Sequence, residues 1–265
     1  MTFGKLFDSA NKTDFGIKAT DVIGDILEYK VPERIRDEIP TLNQYGYMKE
    51  ELDEFSQEFL TYAASSSDIV LELGTAYGWL VSRALERGIK IIANDISEEH
   101  LAVLLKNNLE NHLENLYLYL GKFPEEVNFP KESLAAVMSA RMFHFLDGND
   151  VEKGLSKVHN WLKADGKFFF SNCSIYHYSV KDQLIQYKER AAAGDLWPGQ
   201  VTNQRERAPM HAPYVQDLFN AFDIPQLEQL LPKFGFEIER IKLFDYPKDT
   251  YSEGIGHVGL VARKI

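Results

Sequence analysis

One segment, Val70-Leu71-Glu72-Leu73-Gly74-Thr75-Ala76-Tyr77-Gly78, constrains this chain more than any other. An apolar run, an acid and then two glycines four apart describe a strand that ends in a tight turn and opens a helix. Glycine lets a backbone turn sharply and lie against a ligand without a Cβ in the way. A second apolar run, Ile91-Ile92-Ala93-Asn94, ends at Asp95, 21 residues after Gly74. A carboxylate at such a strand end can accept both hydroxyls of a ribose. Turn glycines alone would explain Gly74 and Gly78, but not Glu72 and Asp95 at these spacings. Together they predict a site for an adenosine-bearing cofactor.

The surrounding pattern sets the fold. Strands are predicted at Ile69–Leu73, Lys90–Asn94, Leu116–Leu120, Leu134–Ser139 and Lys167–Ser171. Helices are predicted between them, at Tyr77–Arg87, after the cap Ser97, and at Asp150–Leu162. Strands alternating with helices imply a parallel sheet covered on both faces. After Pro225 a short helix leads to two further strands, Phe236–Phe244 and His257–Lys264. The expected architecture is therefore α/β: a mostly parallel, seven-stranded Rossmann-like sheet. Residues 1–64 are expected to form an N-terminal helical cap, with helices at Ala19–Tyr29 and Lys49–Ala64, over a domain spanning 65–265. Residues 174–222 show no strand pattern and carry Trp197, Arg205, Arg207, His211 and Tyr214. So long an insertion in a compact domain reads as a lid over a functional site.

Composition narrows the function. With 45% hydrophobic residues among 265, the chain can bury a sizeable core. Its 29 basic and 40 acidic residues give a net charge of −11, which opposes polyphosphate backbones and disfavours nucleic acid as a partner. The single cysteine, Cys173, leaves no intramolecular disulfide and suits a reducing compartment. No apolar run approaches the ~20 residues of a membrane span, and Met1-Thr2-Phe3-Gly4-Lys5 lacks a secretory apolar region. A cytoplasmic protein with a small-molecule substrate is expected. Its oligomeric state is left open, and no metal-ligand motif is read.

Two cofactors compete for the glycine turn. A dinucleotide needs G-x-G-x-x-G, so that a pyrophosphate can rest on bare helix-start amides. Here the second position is Ala76 and the third is Trp79, a poor fit where close packing needs a small residue. At this point the chain resembles the class I S-adenosylmethionine-dependent methyltransferases, over roughly residues 65–265. The resemblance rests on Glu72-Leu73-Gly74-Thr75-Ala76-Tyr77-Gly78, on Asp95, and on Phe234-Gly235-Phe236-Glu237 before the last strand pair. It implies S-adenosyl-L-methionine as cofactor and methyl transfer to an oxygen, nitrogen or carbon. It also implies cofactor contacts from Glu72, Gly74, Thr75, Ala76, Gly78, Asp95, Ile96, Phe123 and Ser139. Asp95 would hold the ribose and Ile96 would pack on adenine. One departure stands out: after the third strand the family commonly places Gly-Asp, whereas this chain has Gly121-Lys122-Phe123. Lysine only donates, so adenine would be read by backbone near Lys122 and Phe123. A dinucleotide-dependent oxidoreductase and a non-catalytic cofactor-binding protein are the alternatives.

The chemistry is expected where the fourth strand ends, at Ser139, Arg141, Met142, Phe143 and His144. His144 titrates near neutrality in its ordinary state and is the candidate general base. Its competing role is that of a locally hydrogen-bonded core residue. Arg141 could anchor an acidic substrate or serve as a surface or structural ion-pair partner. Asn172, Cys173, Tyr176, His177 and Tyr178 follow the fifth strand and point to the same region.

Overall fold

The computed structural model describes residues 12–22, 29–35, 38–246 and 252–265. Strands β1 (Lys12–Thr13), β2 (Gly16–Lys18), β3 (Ile39–Pro40) and β4 (Tyr47–Met48) precede helix α1 (Glu54–Ala64). The alternating core follows: β5 (Val70–Leu73), α2 (Trp79–Leu85), β6 (Ile91–Asp95), α3 (Glu98–Asn107), β7 (Leu116–Leu120), β8 (Leu134–Ala140), α4 (Gly148–Trp161) and β9 (Leu162–Cys173). The insertion carries α5 (Leu184–Ala192), β10 (Gln200–Val201), α6 (Gln204–Arg207) and β11 (Phe219–Asn220). Helix α7 (Ile224–Leu230) and the hairpin β12 (Phe236–Phe244) and β13 (His257–Lys264) complete the chain.

The main sheet runs β1-β2-β7-β6-β5-β8-β9-β13-β12. Strands β7, β6, β5, β8 and β9 are parallel, and β13 inserts antiparallel between β9 and β12. Among the described residues the sheet thus has nine strands rather than seven. The additional pair lies in the N-terminal segment: β2 lays Ile17 and Lys18 against Leu118 and Tyr117 and extends the edge beyond β7. That segment is also less helical than expected. Ala19–Asp21 is one 3-10 turn, and residues 23–28, the rest of the first expected helix, lie outside the described residues.

Alternation along the strands divides the interior into two layers. Val70, Ala136, Met138 and Phe169 face one layer with Phe55 and Phe59 of α1, Leu80 of α2 and Leu104 of α3. Leu71, Leu73, Val137, Phe168 and Phe170 face the other, with Val151, Leu155 and Val158 of α4 and Leu227 of α7. Burying a large side chain of this kind contributes about 1.5–3 kcal/mol. Helix α1 packs so closely that a Cβ on Gly259 would meet the Phe55 ring at 2.1 Å. Ser97 and Asp147 cap α3 and α4, accepting from His100 N and Asp150 N, and so fix where each helix leaves the strand ends. Among the described residues no helix is long and apolar enough to cross a membrane.

Candidate active site

Two cavities open at the carboxyl ends of the parallel strands, where ligands of such sheets bind. They hold about 1150 and 790 Å³ of empty space, mouths included, enough for small organic ligands. Tyr47, Lys49, Arg141 and Phe145 line both, so the cavities share a wall.

The first cavity gathers most of the predicted cofactor residues: Glu72, Gly74, Thr75, Ala76, Asp95, Ile96 and Phe123. Gly74 has φ 71°, and a Cβ there would meet Met142 Cγ at 2.6 Å. Backbone sign and space therefore both call for glycine. Asp95 is the keystone of this wall. Its Oδ2 accepts from Ala76 N at 2.8 Å, and its Oδ1 from Ser97 N at 2.8 Å and His100 Nδ1 at 3.0 Å. Leu42 N donates to His100 Nε2 at 3.1 Å, which places the ring proton on Nδ1, facing Asp95. Asp95 thus ties the glycine turn, helix α3 and the N-terminal segment together. Glu72 is buried and accepts from Thr75 Oγ1 at 2.7 Å. Burial pushes its carboxyl up to about 8, against the lowering Thr75 hydrogen bond and with a further rise from Asp95.

Two predicted contacts are corrected. Ser139 is wholly buried and does not line the cavity. Strand alternation sends it to the Val137 side, whereas Met138 and Ala140 face the other layer. Ala140 is the lining residue. Gly78 does not line the cavity either. It starts α2 at φ 78°, and Leu104 Cγ would lie 2.4 Å from a Cβ there. Its glycine serves the turn and the packing of α2 on α3.

The Lys122 position is resolved locally. Its backbone N–H donates to Glu126 Oε2 at 2.8 Å, and its ammonium meets Glu125 at 3.3 Å. Phe123 is buried against Phe143 and Trp161 while lining the cavity. Ile96, 43% exposed, offers an apolar surface at the same mouth.

His144 lies in the second cavity, not the first. It shares Asn172 Oδ1, 2.5 Å from its Nδ1, with Cys173 N at 3.0 Å. Burial holds its pKa down at about 3, against the Asn172 bond and with help from Arg141 and His177. So weak a base suits accepting a hydrogen bond better than abstracting a proton. His257 is likewise buried, and burial with the nearby His177, Arg141, Lys49 and His144 holds it well below its ordinary value. Arg141 occupies the shared wall at φ 53°, its guanidinium 4.7 Å from the Tyr246 ring centre. Burial opposes its charge, but Tyr246, Glu38, Cys173 and Asp53 outweigh this and raise its pKa. Tyr246 in turn donates to Asp53 Oδ2 at 2.7 Å, which also accepts from Ser171 Oγ at 2.6 Å.

Sequence reasoning missed Thr41, Tyr47, Lys49, Asp53, Tyr246 and His257. None carries a local motif, and they join the site only through tertiary packing. The N-terminal hairpin meets the insertion above the cavities: Gly46 N donates to Tyr214 O at 2.6 Å, and Tyr47 Oη lies 3.0 Å from His211 Nδ1.

Comparison with known proteins agrees with this geometry. Residues 70–166 match the family model described as a methyltransferase domain. A stretch of 112 residues, 42% of this chain, is 30% identical to phosphoethanolamine N-methyltransferase 3 of Arabidopsis thaliana. The match spans 22% of that relative's length. The S-adenosylmethionine-dependent methyltransferase structure from Mesorhizobium loti superposes with a TM-score of 0.58 at 16% identity, covering 79% of this chain and 98% of that one. The 1,6-didemethyltoxoflavin-N1-methyltransferase of Burkholderia thailandensis, solved with bound 1,6-didemethyltoxoflavin and S-adenosylhomocysteine, gives 0.56 at 16% identity, covering 80% and 77%. Residues 70–166 thus match a methyltransferase domain, and the Rossmann-like sheet is the fold of those S-adenosylmethionine-dependent methyltransferase structures.

Proposed function

We propose that this chain binds S-adenosylmethionine in the first cavity and transfers its methyl group to a small anionic molecule in the second. The observation that carries the reading is the shared wall: two cationic residues, Arg141 where β8 ends and Lys49, border both cavities.

The first cavity fits the cofactor by the character of its own groups. Asp95 Oδ2 has one chain donor, Ala76 N, and keeps a lone pair for a ribose hydroxyl. Trp79 Nε1 is a buried donor without a partner among the described residues, on a side chain that lines the cavity. Gly74 lies in the cavity wall with Met142 packed where a Cβ would stand. In this reading Glu72, protonated in the free protein near neutral pH, ionises when the cofactor's ammonium arrives. Thr75, Ala76, Ile96 and Phe123 complete the contacts, and Ile96 supports adenine.

The bound sulfonium supplies an activated methyl group. What the chain adds is position and dryness. Arg141, held charged and stacked on Tyr246, anchors an acidic group of the acceptor. His144 accepts a hydrogen bond from it. The insertion at 174–222, joined to the N-terminal hairpin, acts as a lid that excludes water. A small-molecule acceptor fits these enclosed walls, and the net charge of −11 opposes nucleic acid.

Incubation with methyl-labelled cofactor and a panel of small carboxylates and phosphate esters tests the reading. Label transfer to an anionic acceptor, weakened in Arg141→Met, is expected. Transfer only to neutral or cationic acceptors, indifferent to Arg141, would overturn it.

A further inference from the structure

Three ligand-forming side chains converge on the second cavity. Cys173 ends β9, His257 begins the antiparallel neighbour β13, and His177 sits one turn beyond β9. Register pairs His257 directly with Cys173, so the sheet itself sets two of the three side by side. One potential ligand atom from each residue lies within 4.8 Å of the others. All three residues line the cavity.

We infer that Cys173, His177 and His257 form a binding site for a divalent late transition metal of the zinc class, open on one side to the second cavity. One thiolate and two imidazoles are the donors that such ions select over calcium or magnesium. Bond lengths of about 2.0–2.3 Å set tetrahedral ligands roughly 3.3–3.8 Å apart, so the three groups need close by only about an ångström.

A second observation points to a ligand independently. His257 is 2% exposed, and its Nδ1 is buried with no hydrogen-bond partner among the described residues. A buried ring nitrogen without a partner is costly, and a metal bound there removes that cost. His177 has a supporting contact that fixes its ring: Ser179 Oγ lies 2.7 Å from Nδ1, and Ser179 N donates to the same nitrogen at 3.3 Å.

Three protein ligands leave a fourth position for a small molecule, the arrangement of reactive rather than structural sites. Arg141 and Lys49 line the same cavity and repel a cation. The Cys173 thiolate offsets part of that charge, and an anionic acceptor offsets more. Metal binding forms the sulfur–metal bond as the thiol gives its proton to solvent. An acceptor heteroatom in the fourth position would be polarised beside the shared wall. That role rests on the methyltransferase reading; the metal site itself does not.

Titration of chelator-stripped protein with Co²⁺, followed by absorption, tests the site. One equivalent should bind with a thiolate-to-cobalt charge-transfer band and the visible bands of a tetrahedral centre. Cys173→Ser should abolish the charge-transfer band, and His177→Ala should weaken binding roughly tenfold or more. No stoichiometric binding by folded wild-type protein would overturn the inference, as would binding without the thiolate band or equal binding by both variants. Should a variant not fold, the wild-type spectrum decides. Titrating the same stripped protein with S-adenosylhomocysteine reads the first cavity separately, so failure of either proposal is distinguishable from failure of the other.

Discussion

Asp95 beside the first cavity meets three donors of its own chain, whereas His257 Nδ1 and Gln204 Oε1, on residues lining the second, are buried without partners among the described residues. The first cavity is made mostly of strand ends and the turns between them, and its keystone carboxylate is already held in place by three donors. The second is assembled from distant pieces: the ends of β9 and β13, the N-terminal hairpin and the insertion. The first cavity's keystone is paired by the fold and pre-organised, with Trp79 Nε1 as the one buried polar side-chain atom on its lining residues left without a partner among the described residues. A site with orphaned polar groups is completed by what it binds. The contrast suits a chain that keeps one cofactor constant and adapts its acceptor.

The strongest attack on this contrast removes the keystone. Asp95→Ala orphans Ala76 N, Ser97 N and the His100 ring proton together, and should cost about 3 kcal/mol of folding stability while abolishing cofactor binding. Denaturant unfolding and calorimetry read the two effects. A folded variant of unchanged stability and affinity would show that the first cavity is not held by this carboxylate. Next in size, Arg141→Met should raise the acceptor KM by on the order of tenfold to a hundredfold. Affinity for S-adenosylhomocysteine should stay within a few fold. Equal losses on both sides would mean that the shared wall belongs to the cofactor.

A smaller effect concerns Glu72. Its carboxyl rises from an ordinary 4.5 to about 8 in the folded protein. Between those values the folded chain holds a proton that the unfolded chain has released. Stability of the ligand-free protein should therefore fall as pH rises through that window. Glu72→Gln should flatten the slope in thermal unfolding, and an unchanged slope would assign it elsewhere. The least effect is expected at His144. With its pKa held at about 3, it stays uncharged through the neutral range. His144→Gln should leave the pH–rate profile unchanged in shape between pH 6 and 8, and loss of a limb there would restore it as a base.

The sequence made the first cavity legible because its residues lie where local pattern changes. Gly74 and Asp95 each end an apolar run, and Ser97 caps the helix that follows. Strands β7, β12 and β13 fall within the bounds their apolar patterns predict. Ser139 was misplaced because a strand end was located without asking which face each residue took. Gly78 was read as a ligand-facing glycine, although helix packing against Leu104 already demands it. The strands β1 and β2 are too short, at two and three residues, to show a period. The second cavity was partly visible: Cys173 and His177 follow the fifth strand and point to the same region, although no metal-ligand pattern is read in them. His257 joins them only through the antiparallel register of β13, which no local pattern announces.

Calorimetric titration of the purified protein with S-adenosylhomocysteine, with NADH in a parallel cell, tests the central claim most directly. Micromolar binding of the first at one site, lost in Asp95→Ala, with no heat from NADH, is the predicted result. Binding of NADH alone, or no binding of either by folded protein, would contradict it.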